Sequence, residues 1–185
     1  MSLTHPATND IELADASEVD MSAVQAIYAH HVIYGLSSFE TEPPSVEEML
    51  QRRRQVVSKG LPYLVARYQG EIVGYCYLSP YRPRYAYRFT VEGSVYIAQG
   101  YQGKGIGKAL MAEAITRAER GGWRQMMAVV GNSENIASLR LHQGLGFTTI
   151  GQLTAVGFKH GRWLNTVLMQ RQLGEGDSTL PPNKS

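Results

Sequence analysis

A glycine-rich hexapeptide at residues 102–107 (QGKGIG) constrains the fold most, because it follows a strand-like run and precedes a long amphipathic pattern. Gly103, Gly105 and Gly107 permit sharp turns and let backbone N–H groups approach an anion without interference from β-carbons. A helix that begins there adds the positive end of its dipole. The hexapeptide therefore predicts a strand–loop–helix unit that binds a nucleotide-derived cofactor. The alternative is an ordinary glycine-rich turn that caps a helix.

Two better-known phosphate loops do not match this sequence. A Walker A loop has a glycine five residues before its Gly-Lys pair, but Gln102 and Ala98 occupy the two corresponding positions. Neither Lys104 nor Lys108 is followed by Ser or Thr. A dinucleotide fingerprint that starts at Gly103 needs a glycine at position 108, where a lysine stands. The hexapeptide thus belongs to another class of phosphate loop.

The composition is that of one ordinary globular domain. The chain has 185 residues, of which 43% are apolar and 18% charged, enough for a single packed core. No apolar run approaches the roughly 20 residues of a membrane-spanning helix. The first ten residues lack the apolar region of a secretory signal, so we expect a cytoplasmic protein without a membrane partner. A formal net charge of +2, without a dense basic run, argues against nucleic acid.

Three smaller features have structural interpretations. Cys76, the single cysteine, lies in an apolar strand pattern and is predicted to be a buried thiol. The basic cluster at residues 52–54 lies in a helical pattern with acidic neighbours and is predicted to be a solvated face. His30 and His31 are adjacent, and neighbouring helical residues point in different directions, so no metal site is predicted.

The chain alternates between helix and strand patterns. We expect a single domain over residues 11–173, with mobile ends at 1–10 and 174–185. The order β-α-α-β-β-β-α-β-α-β-β predicts an α/β sandwich with a mixed sheet. The predicted strands cover residues 11–14, 61–68, 71–78, 89–97, 126–130, 147–158 and 163–171. The first predicted helix runs from a cap at Ser17 to about residue 31. The second covers residues 46–58, with Ser45 as its cap and Glu48 as the capping-box partner. The third runs from residue 106 to the glycine pair at 121–122, and the fourth covers residues 135–143.

With these elements in order, the chain resembles the GNAT superfamily of acyl-CoA-dependent N-acetyltransferases over nearly all of residues 11–171. Residues 102–107 fit the superfamily pattern Gln/Arg-x-x-Gly-x-Gly/Ala for the pyrophosphate of coenzyme A. Downstream, Asn135 precedes a helix that ends His-Gln-Gly-Leu-Gly-Phe at residues 142–147. The resemblance implies the GNAT fold, a central mixed, mostly antiparallel sheet flanked by helices. It also implies acetyl-CoA as co-substrate and no metal.

Within that superfamily the chain is most similar to the phosphinothricin and methionine sulfoximine acetyltransferases. Four strings carry this similarity: SFE at 38–40, YRFTVE at 87–92, SLRLH at 138–142 and KHGRW at 159–163. Two positions depart from the pattern, Gly93 in place of a larger polar residue and Asn165 in place of Asp. We expect the first to alter the floor of the acceptor pocket. The subgroup also implies a homodimer with acceptor sites near the interface.

Acetyl transfer to an amine needs a base, an oxyanion donor and a proton for the departing thiolate. Glu92 is the candidate base, and the alternative is a salt-bridged strand carboxylate; its apolar neighbours predict a raised pKa. The segment 94–97 is the candidate oxyanion donor, through a bulge that frees one backbone amide. His142 stands where many superfamily members have tyrosine. It is either the general acid or a residue that only packs and hydrogen-bonds beside the cofactor.

The remaining requirement is to hold both substrates together. Arg82 and Arg84 offer guanidinium groups that suit a carboxylate or phosphinate, although exposed loop arginines are often simply solvated. By resemblance, Phe39 and Glu40 close the other side of the acceptor pocket, and Ser94 also contacts the acceptor. The candidate cofactor-binding residues are Val95, Tyr96, Ile97, Gln102, Gly103, Lys104, Gly105, Ile106, Gly107, Lys108, Asn135 and Ser138.

The resulting hypothesis is an enzyme that moves acetyl from acetyl-CoA to the α-amino group of a small amino-acid-like acceptor by direct attack. One alternative keeps the chemistry but changes the acceptor to a polyamine, an aminoglycoside or a protein N-terminus. An alternative of another class is a non-catalytic acyl-CoA sensor, which needs residues 102–107 but neither Glu92 nor His142.

Overall fold

The computed structural model describes residues 10–182. The described strands are β1 (Ile11–Asp15), β2 (Tyr63–Tyr68), β3 (Glu71–Pro80), β4 (Thr90–Ile97), β5 (Gln125–Gly131), β6 (Thr148–Lys159) and β7 (Arg162–Gln172). The helices are α1 (Met21–Tyr34), α2 (Val46–Ser58), α3 (Ile106–Arg120) and α4 (Ile136–Gly144), with short 3-10 turns at Glu18–Asp20 and Tyr85–Tyr87.

The strands form one seven-stranded sheet in the order β1-β2-β3-β4-β5-β7-β6. Every neighbouring pair is antiparallel except β4 and β5, which run parallel around α3. A parallel pair needs such a crossover connection, whereas a hairpin can join antiparallel strands. The predicted α/β fold with a mixed, mostly antiparallel sheet is confirmed.

The two parallel strands separate soon after they meet. Their register has three pairs, from Thr90↔Gln125 to Glu92↔Met127. Beyond these pairs, β4 continues to Ile97 and β5 to Gly131, and each keeps its antiparallel partner on the other side. The sheet therefore consists of two halves, β1–β4 and β5–β7, with a wedge-shaped gap between them.

Helices cover the sheet on opposite faces. A Cβ on Gly93 of β4 would contact Met111 of α3 at 3.1 Å, so this face of β4 lies against α3. Tyr96 has the opposite parity, and its ring lies 5.1 Å from the ring of Tyr28 in α1. Because successive strand residues alternate between faces, Glu92 and Ser94 share the α1 face with Tyr96.

Most predicted boundaries hold within two residues, but two local predictions were wrong. Ser45 caps α2 through a 3.1 Å bond from the Glu48 amide, yet the Glu48 carboxylate binds Arg52 instead of completing a capping box. The arginines at 52–54 are also not simply a solvated face. They reach other elements, contacting Glu40, the carbonyl oxygen of Ala16 and Glu18, respectively.

Cys76 is fully buried and unpaired, as predicted, and burial raises the pKa of its thiol to about 12. Of the predicted mobile ends, residues 1–9 and 183–185 lie outside the described residues. Within the described part, the Arg124 guanidinium donates to the Gly176 carbonyl at 2.9 Å and to Thr179 Oγ1 at 2.8 Å. No helix among residues 10–182 has the length and apolar character needed to cross a membrane.

Asp20 links the start of α1 to the sheet. Its carboxylate accepts bonds from the Ser17 amide at 2.8 Å, the Ser17 hydroxyl at 3.1 Å and the Arg67 guanidinium of β2 at 2.9 Å. Burial alone raises the pKa of this carboxyl group, but the bonds from Ser17 and Arg67 outweigh burial and lower it. The ionised form therefore stabilises the fold.

We expect Asp20→Ala to lower the free energy of unfolding by about 1–3 kcal/mol at pH 7, since the partly buried Arg67 guanidinium and the Ser17 amide and hydroxyl lose their acceptor. Because the folded pKa is the lower one, this contribution is present above the ordinary aspartate pKa and disappears as the pH falls through the folded value. Urea unfolding at several pH values measures both effects. The control is Asp15→Ala, which breaks an exposed ion pair with Arg117 and should cost less than about 1 kcal/mol. Equal losses in the two variants would contradict the assignment.

Candidate active site

A cavity of about 470 Å³ occupies the gap between β4 and β5. The loop before α3, the first turn of α3 and one side of α4 enclose it. All the predicted cofactor-binding residues except Lys104 line this cavity, together with Ser94 and His142. Lys104 instead places its ammonium 5.6 Å from the centre of the Tyr101 ring. The structure thus brings together predicted residues from three separate stretches of sequence, 94–97, 102–108 and 135–142.

Backbone groups of β4 are directed into the gap. The Ala98 amide donates to the Val73 carbonyl of β3 at 2.8 Å, so even-numbered residues of this strand direct their N–H groups to β3. The odd-numbered residues Val95 and Ile97 direct theirs to the opposite side, beyond the last β4–β5 pair. Consistent with this, His31 Nε2 donates to the Ile97 carbonyl, which faces the gap, at 2.7 Å.

The loop before α3 depends on glycine in two distinct ways. Gly103 and Gly105 have φ angles of 73° and 78°, a left-handed conformation that other residues rarely adopt. Gly107 has an ordinary φ, but a Cβ there would lie 2.7 Å from Leu141 of α4. Since the residues of the first turn of α3 line the cavity, its unpaired N–H groups lie at the cavity wall. This wall suits an anion.

Helix α4 holds His142 in one tautomer. Asn135 caps the helix through a 3.2 Å bond from the Ser138 amide. His142 Nδ1 lies 2.8 Å from the Ser138 carbonyl oxygen; a carbonyl only accepts, so this nitrogen carries the proton. The ring is 4% exposed and packs edge-on against Phe147, and burial lowers its pKa. Near neutral pH, His142 is therefore a neutral imidazole whose Nε2 can act only as a hydrogen-bond acceptor.

Glu92 lies beside the cavity, on the α1 face of β4, rather than in its wall. Burial raises the pKa of its half-buried carboxyl group, and the nearby positive charge of Arg82 partly opposes this shift. Ser94, the next residue on that face, hydrogen-bonds Tyr77 of β3. The site thus has a carboxylate with raised proton affinity on the face opposite the glycine loop.

The predicted acceptor residues surround this face less closely. Arg82 and Arg84 are exposed in the β3–β4 connection, outside the cavity wall, and the Arg82 guanidinium lies 5.1 Å from the centre of the Tyr81 ring. Phe39 also lies outside the cavity wall. Its ring packs against Gly131 of β5 and occupies the space that a Cβ on Gly157 of β6 would need.

One prediction about β4 was wrong. The β3–β4 register is regular from Gly74↔Ile97 to Pro80↔Val91, so no bulge frees a backbone amide; the divergence from β5 does so instead. Gly93 itself lines the cavity, but a side chain there would meet Met111 of α3, so its effect on the acceptor pocket stays a prediction. Its small size accommodates the packing of that helix.

The comparisons with known proteins agree with this geometry. The sequence model described as the Acetyltransferase (GNAT) family matches residues 24–147. The chain belongs to the GNAT family. It is 50% identical to a phosphinothricin N-acetyltransferase of Alcaligenes faecalis, over 97% of this chain and 98% of that protein. It is 38% identical to the L-methionine sulfoximine/L-methionine sulfone acetyltransferase of Salmonella typhimurium, over 86% and 93%.

The fold of this GNAT protein matches a solved member of the family. A phosphinothricin acetyltransferase from Sinorhizobium meliloti, crystallised with AcCoA, superposes with a TM-score of 0.92 at 44% sequence identity, over 95% of each chain. In the described residues of this GNAT chain, no cluster of His, Cys, Asp or Glu could hold a metal ion.

Sequence reasoning missed several residues of the GNAT cavity. The residues of β5 at 128–131 form one wall, and only the strand order could have identified them. Ser37 and His31 approach from the other face, and the sequence carries no signal that either borders the cofactor loop. The newly found set is completed by Gly93, Tyr101, Ala137, Arg140 and Leu141.

The state of His142 can be tested directly. We expect ¹⁵N NMR of the folded protein to show a neutral ring protonated on Nδ1 at pH 7, with a pKa below the value of about 6.5 for an unperturbed histidine. Buried charge is disfavoured, and the Ser138 carbonyl fixes the tautomer. The same residue in the urea-unfolded chain is the control. A pKa at or above 6.5 in the folded protein would contradict this assignment.

Proposed function

We propose that this protein transfers acetyl from acetyl-CoA to the α-amino group of a small amino-acid-like acceptor of the phosphinothricin, methionine sulfoximine or methionine sulfone type. The observation that carries the proposal is the gap in the sheet, with an anion-binding loop on one face and the Glu92 carboxylate on the other. High identity to phosphinothricin and methionine sulfoximine acetyltransferases over most of the chain supports the same class of acceptor.

The cofactor has a natural path through the gap. We assign the pyrophosphate to the amides of residues 103–108, where the glycine loop meets the start of α3. The pantetheine arm then runs beside Val95 and Ile97, whose N–H groups lack a β5 partner in the described register. Asn135 and Ser138 bound the arm on the α4 side. This path brings the thioester to the level of Val95.

The chemistry then divides between two faces. Glu92 takes a proton from the acceptor ammonium, directly or through one water, and its raised pKa improves its capacity as a base. The free amine attacks the thioester carbonyl, and the Val95 N–H stabilises the oxyanion. The attacking nitrogen loses its second proton to solvent, the C–S bond breaks, and the thiolate of coenzyme A leaves. Cys76 is fully buried in the core, so we propose direct attack without a covalent enzyme intermediate.

His142 fits the second of its two predicted roles. Its one proton already binds the Ser138 carbonyl, so the neutral ring has no proton on Nε2 to give to the thiolate. We therefore assign His142 to hydrogen bonding and packing beside the cofactor. The thiolate is a stable leaving group and takes its proton from solvent.

The acceptor face favours an anionic acceptor over a cationic one. Arg82 and Arg84 precede the strand that carries Glu92, and their guanidinium groups suit a carboxylate and a phosphinate or sulfoximine oxygen. Polyamines and aminoglycosides need acidic surroundings instead. We further propose that the enzyme acts in the cytoplasm, where acetyl-CoA is available and Cys76 stays reduced.

Release of free thiol from acetyl-CoA tests the function. The panel contains methionine sulfoximine, methionine sulfone, phosphinothricin, ordinary amino acids, spermidine and a peptide. We expect selective turnover of the first three. Turnover of only spermidine or the peptide would overturn the proposal of an amino-acid-like acceptor. If no compound in the panel reacts although acetyl-CoA still binds, the result would favour a non-catalytic acyl-CoA sensor.

We expect Glu92→Gln to lower kcat/KM by about 10²–10⁴-fold because the amine loses its base, with the affinity for acetyl-CoA unchanged. In the wild type, kcat/KM falls as the pH drops through the raised pKa of Glu92. The matched control is Glu71→Gln, an exposed strand carboxylate, which should behave as wild type. Stopped-flow turnover and calorimetric binding of acetyl-CoA measure the two quantities. Unchanged turnover in Glu92→Gln would exclude this residue as the base.

We also propose a homodimer through the β6–β7 hairpin. β6 is an edge strand whose side chains are mostly exposed. Val156, Phe158 and Trp163 are large apolar residues that are 55%, 59% and 66% exposed. An apolar patch at a sheet edge suits a second copy of the chain, since pairing there covers both the side chains and the edge.

Trp163→Arg should convert the dimer to a monomer, because a charge in an apolar interface is not compensated. Sedimentation velocity measures the change. Val19→Arg is the control, since Val19 is 87% exposed but lies before α1, outside the hairpin. Identical sedimentation of the two variants would overturn this interface.

A further inference from the structure

Lys159, the last residue of β6, is a buried lysine that the reaction does not use. It is 4% exposed, and its ammonium donates to the Ser38 carbonyl oxygen at 2.8 Å. Lysine is rarely buried to this extent because its charge loses hydration. Burial accordingly lowers the pKa of Lys159, while the charge of Glu40 opposes that shift. A cation kept in this place indicates a specific contact.

The contact is with residues 37–40, which we call the bridging segment. Helices α1 and α2 fix this segment on one side. The Tyr28 hydroxyl lies 2.8 Å from the Ser38 hydroxyl and donates to Glu40 at 2.8 Å. Arg52 of α2 donates to the same Glu40 oxygen at 2.6 Å. Because α1 and α2 pack on β2, β3 and β4, these bonds join the bridging segment to the first half of the sheet.

Lys159 joins the bridging segment to the second half. It belongs to β6, and Phe39 of the segment packs against Gly131 of β5 and Gly157 of β6. Ser37 lines the cavity. The bridging segment therefore spans the gap between the two halves, on the face that carries Glu92. The hydrogen bond from Lys159 to the Ser38 carbonyl is a buried polar contact between the bridging segment and the β5–β7 half.

We propose that Lys159 is a positioning residue that holds Phe39 at the acceptor side of the gap and thereby selects the acceptor. The inference rests on the proposed function and extends it to a residue that touches neither substrate. Phe39 has little space behind it, because its ring fills the position that a side chain on Gly157 would take and also lies close to Gly131. Its location thus depends on how the neighbouring backbone of Ser38 is held.

Lys159→Met tests this hydrogen bond, because methionine keeps an apolar side chain of similar length but has no ammonium group to donate. The Ser38 carbonyl then loses a bond from a charged group inside the protein. We expect the KM for the acceptor to rise about tenfold, with the KM for acetyl-CoA within about twofold of wild type, as the glycine loop is on the other face. Arg162→Met is the matched control. Arg162 is on the same hairpin but forms an exposed pair with Glu134, and both KM values should stay at wild-type levels.

Gly157→Ala provides a second variant that keeps the lysine. Its φ is not in the left-handed region, so the added methyl acts by displacing the Phe39 ring. The same split is expected, a raised KM for the acceptor and an unchanged KM for acetyl-CoA. Equal rises in both KM values, or no change in either variant, would overturn the positioning role.

Hydrogen–deuterium exchange distinguishes failure of this inference from failure of the proposed function. Exchange of a peptide covering residues 36–41 should be faster in Lys159→Met than in wild type or Arg162→Met, while peptides from α3 stay unchanged. If the wild type acetylates no acceptor in the panel, the proposed function fails and the exchange result still decides whether Lys159 holds the segment. Equal exchange in all three proteins would overturn the inference.

Discussion

The short parallel pairing of β4 with β5 is the constraint on which the rest of the structure depends. After three residue pairs the strands diverge, and backbone groups that a closed sheet would satisfy internally become available to a ligand. The cavity, the free N–H groups of β4 and the division of the sheet into two halves all follow from this divergence. Glycines at 103, 105 and 107 then let the start of α3 approach the opening closely enough to bind an anion.

Burial has opposite effects on the two titratable groups near the gap. It raises the pKa of Glu92 and lowers that of His142, because in both cases the charged form is the one disfavoured. The carboxylate thus becomes a better base, whereas the histidine is neutral near pH 7 and carries no proton on Nε2 to donate. The hydrogen bond to the Ser138 carbonyl opposes part of the lowering of the His142 pKa, but it holds the histidine proton away from the gap. The arrangement suits amine attack followed by departure of a stable thiolate.

The two halves of the sheet are connected by side chains as well as by β4 and β5. Residues 37–40 receive bonds from Tyr28 and Arg52 on one side and from Lys159 on the other. The arginines at 52–54, which the pattern predicted to be a solvated face, prove to tie α2 to its neighbours. Such long-range polar contacts join residues far apart in sequence, so no local pattern predicts them.

Local rules determined the elements of this protein. Turn residues, caps and hydrophobic periodicity placed α2, the β2–β3 hairpin and α3 almost at their observed bounds, and the spacing of three glycines located the loop at the cavity. Tertiary structure alone decided which surfaces meet. It placed β5 beside β4, brought Ser37 and His31 to the gap, and turned Gly93 toward α3. It also decided that strand divergence, rather than a bulge, frees the backbone N–H groups of β4. The physical reason is that capping and periodicity act between residues close in sequence, whereas strand order and divergence are set by the packing of the whole sheet against its helices.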